Sequence, residues 1–100
     1  MSLLTWDYDG DLFCVLTTET GTGEGRMTHF ELSEARLVLG GASSMPASPA
    51  PGPTAVTVVC YAPEEEKPAE VYFDATQTLP FAVVQHFVAF VASRLASTES

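Results

Sequence analysis

Thr54-Ala55-Val56-Thr57-Val58-Val59-Cys60-Tyr61, followed by Ala62-Pro63, Glu64-Glu65-Glu66-Lys67-Pro68 and Ala69-Glu70-Val71-Tyr72-Phe73-Asp74, is the stretch on which the fold turns. Its first segment is rich in β-branched residues and apolar at both parities, the pattern of a strand covered on both faces and therefore central in a sheet. Pro63 stops that strand, because proline cannot donate to a ladder. The charged run that follows forms a hairpin tip, and residues 69–74 return as a partner strand with Val71 and Phe73 facing one way.

Downstream the period changes from two to about 3.6. Phe81, Val84, Val88, Val91 and Leu95 recur at spacings of 3, 4, 3 and 4, which predicts an amphipathic helix with that stripe on the sheet. Thr78 is the expected cap, and Pro80 fits the first turn, where a missing N–H costs nothing. At 100° per residue Val83, Phe87 and Phe90 widen the apolar sector to about half the cylinder, leaving Gln85, His86, Ala89 and Ser93 opposite. That is more apolar surface than one small sheet needs. Residues 97–100 read as a frayed tail.

Upstream, residues 42–53 hold four prolines within eight positions and no large side chain except Met45, the composition of a flexible Pro/Ala/Ser-rich loop. Before it, Arg26 to Leu32 alternates as a strand, Ser33-Glu34-Ala35 is the expected turn, and Arg36-Leu37-Val38-Leu39 is a short strand ended by Gly40-Gly41. A single helix over Leu32–Leu39 is the rival reading of that segment. Glu19 to Gly25 reads as a glycine-rich loop. At the start, Leu3–Tyr8 and Asp11–Thr18 flank Asp9-Gly10, a pair suited to the two positive φ values of a type I′ hairpin turn. The chain is thus expected to be one α+β domain over residues 1–100: an antiparallel sheet of about five or six strands packed by one C-terminal amphipathic helix.

That order of elements, with Val71-Tyr72-Phe73-Asp74-Ala75 leading into the helix, resembles the pleckstrin-homology-like superfold. The resemblance implies a strand-to-helix junction at those residues. The first hairpin, basic where that superfold holds phosphoinositides, is acidic here, and the helix carries Phe87 and no tryptophan.

The 100 residues include 4 Lys plus Arg and 13 Asp plus Glu, a net charge of −9 with 46% apolar residues. Such a charge argues against direct binding to nucleic acid or to anionic membranes, both of which select clustered Lys and Arg. Met1-Ser2-Leu3-Leu4-Thr5-Trp6-Asp7 lacks the basic start and apolar core of a secretory signal. The longest apolar run, Leu79–Ala92, is interrupted by Gln85 and His86 and falls short of a bilayer span. A cytoplasmic location is the expectation.

Cys14 and Cys60 each sit inside an apolar run, as buried reduced thiols do. Asp7-Tyr8-Asp9-Gly10-Asp11 has the alternate carboxylates of a calcium loop, but Thr18 stands where the bidentate acid belongs, so a hairpin turn is the reading and no metal site is assigned. His29 and His86 are the only groups suited to acid–base work near neutral pH, and neither lies in a nucleophile, phosphate-loop or metal motif. No catalytic residue and no cofactor is expected.

Two surfaces remain as partner-binding candidates. Glu64, Glu65 and Glu66, with Glu70 and Asp74 nearby, would steer a basic protein surface. Val83, Phe87 and Phe90, on the helix flank, would supply apolar anchors. The function expected is a non-catalytic protein–protein interaction module, an adaptor or inhibitor. An immunity or antagonist protein masking a basic nucleic-acid-handling partner is the alternative, in line with a resemblance to small acidic bacterial immunity proteins. A small enzyme or ligand carrier with a pocket between helix and sheet is the third. Self-association through the C-terminal helix is the further partner expectation.

Overall fold

The computed structural model describes residues 2–21, 26–38, 48–62 and 66–99. Its elements are β1 (Ser2–Tyr8), β2 (Asp11–Thr20), β3 (Met27–Val38), β4 (Ser48–Tyr61), β5 (Glu70–Phe73) and α1 (Phe81–Glu99). The five strands form one sheet in the order β1-β2-β3-β4-β5, each antiparallel to the next. The α+β class read from the sequence is the class the chain adopts, with five strands and one C-terminal helix among the described residues.

The first hairpin closes as its dipeptide dictates. Asp9 has φ 50° and Gly10 φ 87°, and Tyr8 stands opposite Asp11, so the loop is the two-residue type I′ turn.

Between Met27 and Val38 the structure departs from the expected strand, turn and strand. The whole segment is one strand, and neither a turn at Ser33-Glu34-Ala35 nor a helix over Leu32–Leu39 forms. The polar residues are accommodated by irregular pairing: Leu32 faces Val56, Ser33 faces Thr54 and Ala35 faces Pro51, so β4 carries an extra residue at each step. Such bulges bend a strand and raise its twist without ending it. Ser33 is buried there, with its Oγ 3.3 Å from Cys14 Sγ.

Residues 48–53, read from composition as the end of a flexible loop, belong to β4. Residues 42–47 lie outside the described residues. Pro49, Pro51 and Pro53 alternate, so their nitrogens fall on one side of the strand and Ala50 and Gly52 keep their donors for the other. This part of β4 has β3 on one side only, since β5 pairs only with residues 56–59, and an edge tolerates proline. Gly52 is needed for space: a Cβ there would stand 2.8 Å from the Glu34 carbonyl oxygen.

The helix covers one face of the sheet. Phe13, Val15, Phe30, Leu32, Val56, Val58 and Cys60 from the strands meet Val83, Phe87 and Val91 from α1, with Trp6, Leu79, Val84, Phe90 and Leu95 packed around them. The helix starts two residues later than expected: the Pro80 carbonyl accepts from Val83 N and Val84 N at 3.0 and 3.3 Å, which puts Pro80, not Thr78, at the N-cap. At the other end α1 continues through residues 97–99, read above as a tail.

The buried stripe of α1 is rotated from the one expected. Val83 and Phe87 have no exposed surface, whereas Phe81 is 74% and Val88 55% exposed. Two ring contacts account for the rotation. His86 packs on Trp6 of β1 at 4.6 Å, and Phe90 meets Phe30 of β3 edge-on at 6.0 Å. They draw the Val83–Phe87–Phe90 sector onto the sheet and turn Phe81 and Val88 outward, Val88 toward the β5 side.

Candidate interaction site

β5 ends the sheet, and its four residues are all exposed. The Asp74 amide donates to the Ala55 carbonyl at 2.9 Å. Backbone groups alternate sides along a strand, so Glu70 and Tyr72 also turn theirs toward β4. Val71 and Phe73 therefore present N–H and C=O at the open edge, among the described residues without a neighbouring strand.

The side chains of Val71 and Phe73 lie on the helix side. There they join Val56, Val58, Val84, Phe87, Val88 and Leu95 around a groove of about 250 Å³ whose lining is almost wholly apolar. Phe73 is 72% exposed, and Val71, Phe81 and Val88 are at least half exposed. The groove contains no charged side chain.

On the opposite face the β5 side chains are polar and ionised. Glu70 accepts hydrogen bonds from the Tyr61 and Tyr72 hydroxyls. These hold its carboxyl below the usual range, and the same hydrogen bond to Glu70, with the carboxylate's charge, pushes the Tyr72 phenol up. Asp74 is lowered by bonds from the Thr76 hydroxyl and amide.

The residues singled out from sequence divide. Val83 and Phe87 are buried in the core, and of the two only Phe87 reaches the groove lining. Phe90 is half-buried, with the Arg94 guanidinium 5.9 Å from its ring centre. Glu66 is exposed, at φ 53°, and Glu64 and Glu65 lie outside the described residues. Glu66 borders a second cavity of about 530 Å³ at the far end of α1, where Arg26, Lys67 and Arg94 converge with Glu19, Thr28, Phe30 and Tyr61. These are three of the four basic residues in the chain. Lys67 Nζ sits 5.2 Å over the Tyr61 ring.

His29 and His86 fall on opposite sides of the sheet. His86 packs on Trp6 under the helix edge, while His29 alternates with the core residue Phe30 and so points away from the helix, its Nε2 buried without a partner. Cys14 and Cys60 are free, buried thiols, and burial pushes that of Cys60 up. Among the described residues no group of three or more His, Cys, Asp or Glu is placed to hold a metal, and no helix is long and apolar enough to cross a membrane.

The exposed residues of the groove that sequence reasoning missed are Phe73 and Val88. The signal for them was present: β5 is the last strand of a run of hairpins and so an edge, and α1 has a surplus of apolar surface. No protein-family profile, curated protein or solved structure matches the chain.

Proposed function

We propose that the chain is a non-catalytic protein-interaction module of adaptor or inhibitor type, with the groove between β5 and α1 as its binding face. One observation carries the reading: Val71, Phe73 and Val88 stand exposed around one charge-free groove that adjoins an open strand edge. Contiguous apolar patches on small soluble domains mark contact surfaces, and an open edge invites pairing with another chain. The exposed carboxylates of Glu66, Glu70 and Asp74 lie outside the groove, Glu66 at the second cavity and Glu70 on the other face of the sheet, and would favour a basic surface on a partner that reaches past the groove.

The test is the pair of substitutions Phe73→Asp and Val88→Asp, made together. Both side chains are exposed, so circular dichroism and the thermal midpoint are expected to stay near wild type while protein association is lost. Unchanged association with an intact fold would refute the groove as a binding face.

The second cavity, where Arg26, Lys67 and Arg94 outnumber Glu19 and Glu66, favours a second reading, as a carrier of a small organic anion. Citrate serves as the probe. A citrate-dependent rise in melting temperature that disappears in Arg94→Gln supports it, and no rise at matched ionic strength removes it.

A further inference from the structure

We infer that the occupant of the groove is a second copy of this chain, paired antiparallel along β5 about a two-fold axis that passes through Val71. The inference rests on the groove being a protein-binding face, and it names the protein.

The register follows from which backbone groups are free. Val71 and Phe73 face the open edge, and Ala69, the residue before β5, joins them when the second copy extends the strand by one residue. Placing Val71 opposite Val71 of the second copy sets Phe73 opposite Ala69 and Ala69 opposite Phe73. All three residues then exchange hydrogen bonds across the junction, and each edge is satisfied by an identical one. On the outer face this register sets Glu70 opposite Tyr72, so no carboxylate faces another. Shifting the axis to Tyr72 would put Glu70 opposite Asp74 twice, a like-charge pairing that destabilises an antiparallel ladder. The two ionised carboxylates thus discriminate between registers.

The side chains agree with the backbone. A two-fold axis perpendicular to the sheet keeps both helices on one face of a continuous ten-stranded sheet. It joins the two grooves into one apolar seam, floored by Val71 and Phe73 and walled by the helix flanks that carry Val84 and Val88. The exposed side chains of Val71, Phe73 and Val88, otherwise unexplained by the core, are accounted for together. Each copy carries a net charge of −9, whereas the groove carries none, so long-range repulsion opposes association while local contacts favour it. Salt screens the former and leaves the latter; dimerisation is expected to tighten as salt rises, the reverse of docking to a basic partner.

Sedimentation equilibrium across protein concentration and at low and high salt is the first test. A monomer–dimer equilibrium that strengthens with salt, and weakens by more than about tenfold in Phe73→Asp, is expected. A chain that stays monomeric up to about 1 mM overturns the inference, as does a dimer indifferent to Phe73→Asp. Loss of a different bound protein in the Phe73→Asp/Val88→Asp variant, with the wild type monomeric, would leave the groove as a binding face and remove only the second copy.

Cysteine cross-linking tests the register. Residues in a hydrogen-bonded antiparallel pair have Cα atoms about 5.5 Å apart, within disulfide range. Val71→Cys is expected to form a covalent dimer under diamide, which accepts the two electrons and two protons released. Tyr72→Cys, displaced from the axis, is expected to form far less. Preferential cross-linking through Tyr72→Cys would overturn the Val71 axis.

Discussion

Gly52 and Glu70 each owe their role to oxygen atoms of their neighbours. At Gly52 the neighbour is the Glu34 carbonyl oxygen, 2.8 Å from where a Cβ would stand. Backbone cannot yield as a side-chain tip does, so Gly52→Ala is expected to cost about 1 to 3 kcal/mol, the usual penalty for overpacking, read as a lower urea midpoint. Gly10→Ala would also destabilise, for a different reason: nothing lies within 4 Å of its Cβ position, but its φ of 87° is one that alanine resists. For Glu70 the neighbours are the Tyr61 and Tyr72 hydroxyls. Glu70→Gln removes the charge that raises the Tyr72 phenol, and its alkaline titration, followed by ultraviolet absorbance, is expected to move down toward that of free tyrosine. Because the folded carboxyls of Glu70 and Asp74 titrate below their ordinary values, the stability they lend is present above the ordinary carboxylate range. It is lost as pH falls through the folded pKa values. Both groups are fully exposed, so the acid-side loss is expected to be small.

The elements differ in how much of them was legible beforehand, and the reasons are local. The Asp9-Gly10 turn was readable because two positive φ values in succession select very few dipeptides. The β4–β5 pair was readable because Thr54–Tyr61 has a composition that only a covered strand wants. The unbroken β3 was not, because Ser33-Glu34-Ala35 is chemically a turn and becomes strand only through extra residues that β4 supplies from a distant part of the chain. The rotation of α1 was not legible either. When half of a helix surface is apolar, periodicity alone leaves its core-facing direction open, and the choice falls to Trp6 and Phe30 on the sheet. With it went the site: the side chains at the groove were read as core, and two core residues as anchors. Substitution checks this orientation directly. Phe87→Ala is expected to cost about 3 to 5 kcal/mol as a core truncation, whereas Phe81→Ala, at a largely exposed position, should change stability by no more than about 0.5 kcal/mol in a monomer. Equal losses at the two positions in chemical denaturation would contradict the observed facing.

At the scale of the molecule the sheet has two unlike ends. Beyond the bulges β3 and β4 pair only with each other, and this extended ladder contributes to a longest dimension of 48 Å against 31 and 26 Å. At the other end four-residue β5 leaves an apolar groove uncovered. Net charge acts on the whole: a −9 chain repels copies of itself and attracts cations at long range, while its groove is indifferent to salt. Ionic strength therefore separates the surfaces. Contacts made by Glu66, Glu70 and Asp74 are expected to weaken between about 50 and 500 mM salt, and contacts made by Phe73 and Val88 to hold or tighten, as titration calorimetry at the two salts would show. The connectivity has one more consequence, in time rather than space. Each strand pairs only with the strand before and after it, so the sheet can assemble in step with synthesis, which proceeds from the N-terminus at about 5 to 20 residues per second. Its cover arrives last. Until Val83, Phe87 and Val91 emerge, the face bearing Phe13, Phe30, Leu32 and Val56 waits open, and for that interval the nascent chain is a client for any chaperone that reads apolar β-structure.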